Sequence, residues 1–167
     1  LVIAILLSTS KETFTSLVSA ALEDKQIDPR LEGYIVEVLC SSIHATYADP
    51  RSLRLDDMLR QGLNSSGNIR HEYLRVTGDL ALLVSGIFPD SFHARKRKTA
   101  YTLGDYIDIG RVAYDSIDLG VFKELAEIFP QIVDSLNDIS IDLRLTSRDI
   151  NKYRERRRFI DARTTTR

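Results

Sequence analysis

Asp79 is the residue of this chain whose setting most asks for chemistry. It lies between Gly78 and Leu80, within the most apolar stretch of the sequence. A carboxylate buried there must find a partner, or its pKa rises until it is neutral. Arg75 stands one helical turn earlier and can pair with it at i, i+4. Two readings follow: an ion pair inside a helix bundle, or a functional carboxylate, because perturbed acids gather at sites. A second constellation comprises Tyr101, Asp105, Tyr106, Asp108, Arg111, Tyr114 and Asp115. Asp108 and Arg111 are neighbours at i, i+3. Tyr106, Gly110 and Tyr114 share one helical line, with a hollow at the glycine that a backbone or a ligand could fill. The plain alternative is tyrosines packed between helices with their hydroxyls bonded. Asp79, Tyr106, Asp108, Arg111 and Tyr114 form the candidate ligand-binding set, and no catalytic residue can be named.

Other chemistries find little support. His44, His71 and His93 are far apart in sequence, and His71-Glu72 lacks the second histidine of a zinc helix. No Glu-x-x-His pair offers the di-iron arrangement of helix bundles. Neither a Gly-x-Ser-x-Gly elbow nor a phosphate-cradling glycine loop occurs. No metal and no cofactor is expected. Cys40 is the only cysteine, which excludes an internal disulfide and a thiolate cluster. Its apolar neighbours point to a buried, inert thiol.

The net charge of −1 hides an uneven distribution. Residues 95–98 supply four positive charges, and residues 148–167 supply eight against three negative. The remainder carries 11 positive and 21 negative charges, so an acidic body bears two basic clusters. Arg154, Arg156, Arg157 and Arg158 are candidates for contact with nucleic acid or with an acidic partner. A basic helix or tail that folds onto its own acidic body, or onto that of a second subunit, accounts for them equally simply.

The elements that must position these residues read as helices almost throughout. Thr9 with Glu12 has capping-box spacing ahead of Phe14, Leu17, Val18, Ala21 and Leu22, which recur at helical period. Asp28-Pro29 predicts a second helix, with Asp as cap and Pro at the first helical position. Leu53, Leu55, Met58, Leu59 and Leu63 make a third, shorter helix, broken by the polar run from Gly62 to Asn68, which reads as a loop open to disorder or insertion. The central helix, about 69–88, is apolar nearly all round, as expected of one buried in a bundle. Further helices are expected over 101–119 and from Val121 to Ile139, the last bent at Pro130. The apolar run Leu1 to Leu7 is shorter than the roughly 20 residues of a membrane span. It reads as a helix start or a short buried strand, without the basic flank of a signal peptide.

Four stretches resemble a family of uncharacterised bacterial all-helical proteins. They are Gly78-Asp79, Gly86-Ile87-Phe88-Pro89, Tyr106 to Gly110 with Ala113-Tyr114, and Phe122 to Ala126 with Phe129-Pro130. The resemblance spans roughly 70–137. It implies a bacterial, non-secreted helical protein and no assigned activity.

The sequence thus predicts an all-α fold, a compact bundle of six or seven helices. A bundle domain over 1–146 would be followed by an arginine-rich helix or tail over 147–167. The leading functional expectation is a cytoplasmic, non-enzymatic module for protein interaction or regulation, with a protein partner or self-association and no membrane. The alternatives are a ligand-binding or enzymatic bundle using the Asp/Tyr cluster, and nucleic-acid binding through the C-terminal basic segment.

Overall fold

A computed structural model describes residues 2–44, 54–87 and 101–140. Among these the chain is all α, with six helices and no strand. They are α1 (Val2–Leu22), α2 (Pro29–His44), α3 (Leu55–Asn64), α4 (Gly67–Ile87), α5 (Leu103–Asp115) and α6, which covers 120–140. The basic runs 95–98 and 148–167, and with them Arg154, Arg156, Arg157 and Arg158, lie outside the described residues, as does the proposed boundary at 146/147.

Local signals set several helix ends. Asp28 caps α2 as expected: its Oδ1 accepts from the Arg30 N–H at 2.8 Å, and Pro29 occupies the first helical position. The start of α5 is fixed by a reciprocal capping box. Thr102 Oγ1 accepts from the Asp105 N–H at 3.2 Å, while Asp105 Oδ2 accepts from the Thr102 N–H at 2.6 Å. Asp105 therefore belongs to a helix cap and not to a site. The fifth helix also stops at Asp115, short of the expected 119.

Two expectations are corrected. The first helix begins at Val2 and runs unbroken to Leu22, so Thr9 and Glu12 lie within it and cap nothing. The expected loop from Gly62 to Asn68 shrinks to Ser65 and Ser66. Gly62 stays helical because α4 crosses close by: a Cβ there would stand 2.9 Å from Leu74 Cδ2. Arg70 then closes the corner by donating to the Leu63 carbonyl at 2.7 Å, a terminal acceptor that α3 leaves open.

The centre of the bundle is α4, packed against α3 and α5. Its second half is buried from Ala81 to Gly86. Its first half is not: Ile69 is 64% and Tyr73 is 36% exposed, so the all-round burial read from the sequence holds only for the C-terminal turns. Small residues let the neighbours in. Leu136 of α6 fills the space beside Gly86, with its Cβ 2.7 Å from where a glycine Cβ would sit. Ser140 of α6 donates to the Ile87 carbonyl at 2.8 Å, and the Asn137 amide, assigned with its nitrogen facing them, donates to the Ser85 and Gly86 carbonyls at 3.1 and 2.6 Å. The last turn of α4 is thereby capped from α6.

Proline inside α6 leaves the Ala126 carbonyl without its helical donor. Arg111 of α5 supplies one, Nε to O at 3.4 Å. Lys25, just after α1, donates to the Gln131 carbonyl at 3.0 Å and to the Ser135 hydroxyl. The helix continues through Pro130 with its freed acceptor served from α5.

Candidate functional site

Three helices meet at Asp79. Its Oδ1 accepts from the Tyr34 hydroxyl of α2 at 2.6 Å and from the Tyr114 hydroxyl of α5 at 2.8 Å. Its Oδ2 accepts from Arg75 Nη1 at 2.9 Å. Arg75 also reaches outward, with Nη2 and Nε donating to Glu72 at 2.7 and 3.3 Å. A charged relay therefore runs up α4 from exposed Glu72, through half-exposed Arg75, to Asp79, whose side chain is only 15% exposed.

Sequence and spacing account for the arrangement. Positions 72, 75 and 79 are one turn apart, so their side chains line one flank of α4. Gly78 matters equally, because the Tyr114 ring occupies the volume a side chain there would need. That close approach carries the Tyr114 hydroxyl to the carboxylate one residue further on. Around the polar core sits an aromatic wall. Phe122 meets Tyr34 edge-on at 5.4 Å and Tyr114 at 5.6 Å, while Phe129 lies 5.8 Å from Tyr114.

The electrostatics follow from this burial. Desolvation pushes the Asp79 carboxyl above its ordinary range, opposed by the hydroxyls of Tyr34 and Tyr114 and by Arg75. Desolvation also raises the Tyr34 and Tyr114 phenols, and the neighbouring Asp79 charge raises them further. Both tyrosines hold their protons and act as donors. The guanidinium of Arg75 holds Glu72 below the usual carboxylate range.

A carboxylate offers about four lone-pair sites, and three are filled here from within the chain. The cluster is a cross-tie between helices. Three of the carboxylate's roughly four acceptor sites are committed to holding α2, α4 and Arg75 to one another and to α5.

Of the five residues singled out in the sequence, Asp79 and Tyr114 come together and the other three do not. Tyr106 is buried two turns earlier on α5, edge-on to Tyr101 at 6.0 Å. Asp108 and Arg111 face outward and line a groove of about 370 Å³ with Val112, Asp115, Ala126 and Glu127. The hollow at Gly110 is filled by Phe129 and Ala81. Tyr34 was not singled out at all, because nothing local marks a residue 45 positions from its partner.

Two other surface grooves are lined by described residues. One of about 280 Å³ is lined by Met58, Ile69, Glu72, Tyr73 and Val76. Another, of about 370 Å³, lies at the start of α4 and includes Arg70, His71 and Asp118. Among the described residues no group of three or more His, Cys, Asp or Glu is placed to hold a metal ion. No described helix is long and apolar enough to cross a membrane. Cys40 is half-buried, and burial pushes its thiol up, away from the reactive thiolate.

No protein-family model matches the chain, and no curated protein or solved structure matches it.

Proposed function

We propose that the protein is a non-enzymatic helical module that acts through contacts with protein. The observation that supports this reading is the bonding of Asp79: this carboxylate, the one singled out for chemistry, is bonded to Tyr34, Tyr114 and Arg75 of its own chain. The polar core then serves to lock α2, α4 and α5 into one shape, and the outer surface is left to act. That surface carries exposed apolar side chains, Ile69, Val112 and Leu119 among them, beside a strongly acidic α5 and α6. A cytoplasmic setting, a bacterial source and self-association belong to the same reading.

Native mass spectrometry on freshly purified protein tests it. The expected spectrum has only integer multiples of the 19.0 kDa chain. A reproducible mass excess that disappears on denaturation would replace this reading with a ligand-binding bundle, and Asp79 and Tyr114 would be its first targets. Nucleic-acid binding through Arg154, Arg156, Arg157 and Arg158 has its own signature, an affinity that falls steeply with salt and is lost on removing 148–167.

A further inference from the structure

Ile69, Tyr73, Val76, Leu80 and Leu83 recur at three- and four-residue spacing along α4, so their side chains share one flank of the helix. The fold covers only part of that flank. Leu83 is buried, whereas Ile69 is 64% exposed and Tyr73 stands at the surface. The uncovered turns form one wall of the groove of about 280 Å³, and Met58 of α3 lies on the other. An apolar stripe buried at one end and left in water at the other lacks a neighbour over its open turns.

Shape and charge define that neighbour. Ile69 to Val76 spans two helical turns, a rise of roughly 10 Å. The groove is open to solvent along that length, so a small molecule in it would keep much of its surface in water, where ligand pockets enclose most of it. A helix laid lengthwise, with apolar anchors at i, i+4 and i+7, matches both the length and the spacing. Among the described residues that line the groove, Glu72 alone is charged. Its side chain is 60% exposed, and Arg75 holds the carboxyl ionised. Arg75 does not cancel the charge of this flank, because the same guanidinium also serves Asp79, and two carboxylates share one cation.

We propose that the groove between α3 and α4 docks an amphipathic helix of a partner protein, its aliphatic side chains over Met58, Ile69, Tyr73 and Val76, and a lysine or arginine of the partner against Glu72. The proposal rests on the reading of the protein as a contact module and names the partner's chemistry at one surface.

Met58 is the only methionine of the chain, so methyl labelling of methionine places a single NMR signal in this groove. The probes are two alanine-rich helical peptides of about 20 residues, long enough to hold helix in water. Both carry Leu at i, i+4 and i+7; one has Lys at i+3 and the other Glu. The Met58 signal of the full chain should shift and saturate with the Lys peptide. Its affinity should exceed that for the Glu peptide by about fivefold, the size of one exposed ion pair. Glu72→Gln should abolish the preference, as should 1 M salt, where the screening length is about 3 Å. Ile69→Ser should weaken both peptides alike, and both substitutions fall on exposed positions. An unmoved Met58 signal, equal affinity for the two peptides, or a preference that survives Glu72→Gln would overturn the docking. A Met58 signal that shifts on dilution without peptide would give the groove to a second copy and overturn it as well. A bound small molecule in the native mass spectrum would instead sink the contact-module reading, so the two failures are distinguishable.

Discussion

The ring of Tyr114 stands where the Cβ of residue 78 would be, and it can stand there only because residue 78 is glycine. The ring is fully buried, with Phe122 and Phe129 beside it and its hydroxyl on Asp79. It cannot yield to a methyl group without leaving the carboxylate.

Gly78→Ala should therefore destabilise the fold. Alanine gains up to about 1 kcal/mol in helix propensity. Forcing a methyl into a packed core costs about 1 to 3 kcal/mol, and the displaced hydroxyl of Tyr114 adds the loss of a hydrogen bond to a charged group, about 1.5 to 3 kcal/mol. The expected net loss is roughly 2 to 4 kcal/mol on these magnitudes. Urea unfolding measures it, and a variant as stable as the parent would mean that Tyr114 does not fill this space.

The raised pKa of Asp79 makes a signed prediction. Its folded value lies above the ordinary carboxylate value near 3.9, so between the two the folded chain binds more protons than the unfolded one. Stability from this group is full below the unfolded pKa and is lost as pH rises through the folded one. Asp79→Asn removes that dependence while keeping an oxygen for both tyrosines. The stability difference, parent minus variant, should shrink as pH rises from acid towards neutral, measured by urea unfolding at each pH. A difference that grows instead would mean that Arg75 and the hydroxyls outweigh desolvation.

Tyr34 and Tyr114 give a second pH signature, at the alkaline end. Both phenols are pushed up by burial first and by Asp79 second. Their contribution is intact below the ordinary tyrosine value of about 10 and is lost as pH rises through the higher folded values. Of the seven tyrosines, at least these two should stay protonated until the chain unfolds, giving a late, cooperative step in ultraviolet titration. Seven tyrosines titrating near the ordinary value in a folded chain would contradict the network.

What the sequence made legible was local. Asp28-Pro29 announced the start of α2 because cap and proline act on adjacent backbone. The Arg75–Asp79 pair was readable because four residues on a helix are always neighbours. The other donors to Asp79 were hidden, since Tyr34 and Tyr114 reach it through helix packing that no spacing encodes. Gly62 and Gly110 misled for the same reason: one read as a loop signal and one as a hollow, yet each marks a close approach of Leu74 or Phe129. Asp105 was grouped with other acids because its capping box uses aspartate where glutamate or glutamine is the usual third residue. Arg111 looked like a partner for Asp108. Its observed contact exists because a proline nineteen positions later frees a carbonyl on the neighbouring helix.

That last relationship is open to a direct test. Pro130 sits in the interior of α6 on its exposed side, so its ring contributes no core packing. Pro130→Ala restores an N–H that the Ala126 carbonyl can accept, and removes a residue that costs about 3 kcal/mol in a helix interior. Proline also restrains the unfolded chain, which returns up to about 1 kcal/mol. The balance predicts that Pro130→Ala stabilises the protein by about 2 kcal/mol on these opposing magnitudes. In the alanine background Arg111→Ala should cost less than in the parent, because the Ala126 carbonyl then has a helical donor. A double-mutant cycle by urea unfolding reads the coupling directly. If Pro130→Ala destabilises the chain instead, the helix geometry imposed by proline is what presents the Gln131 carbonyl to Lys25, and the contribution of that contact exceeds the restored helical bond.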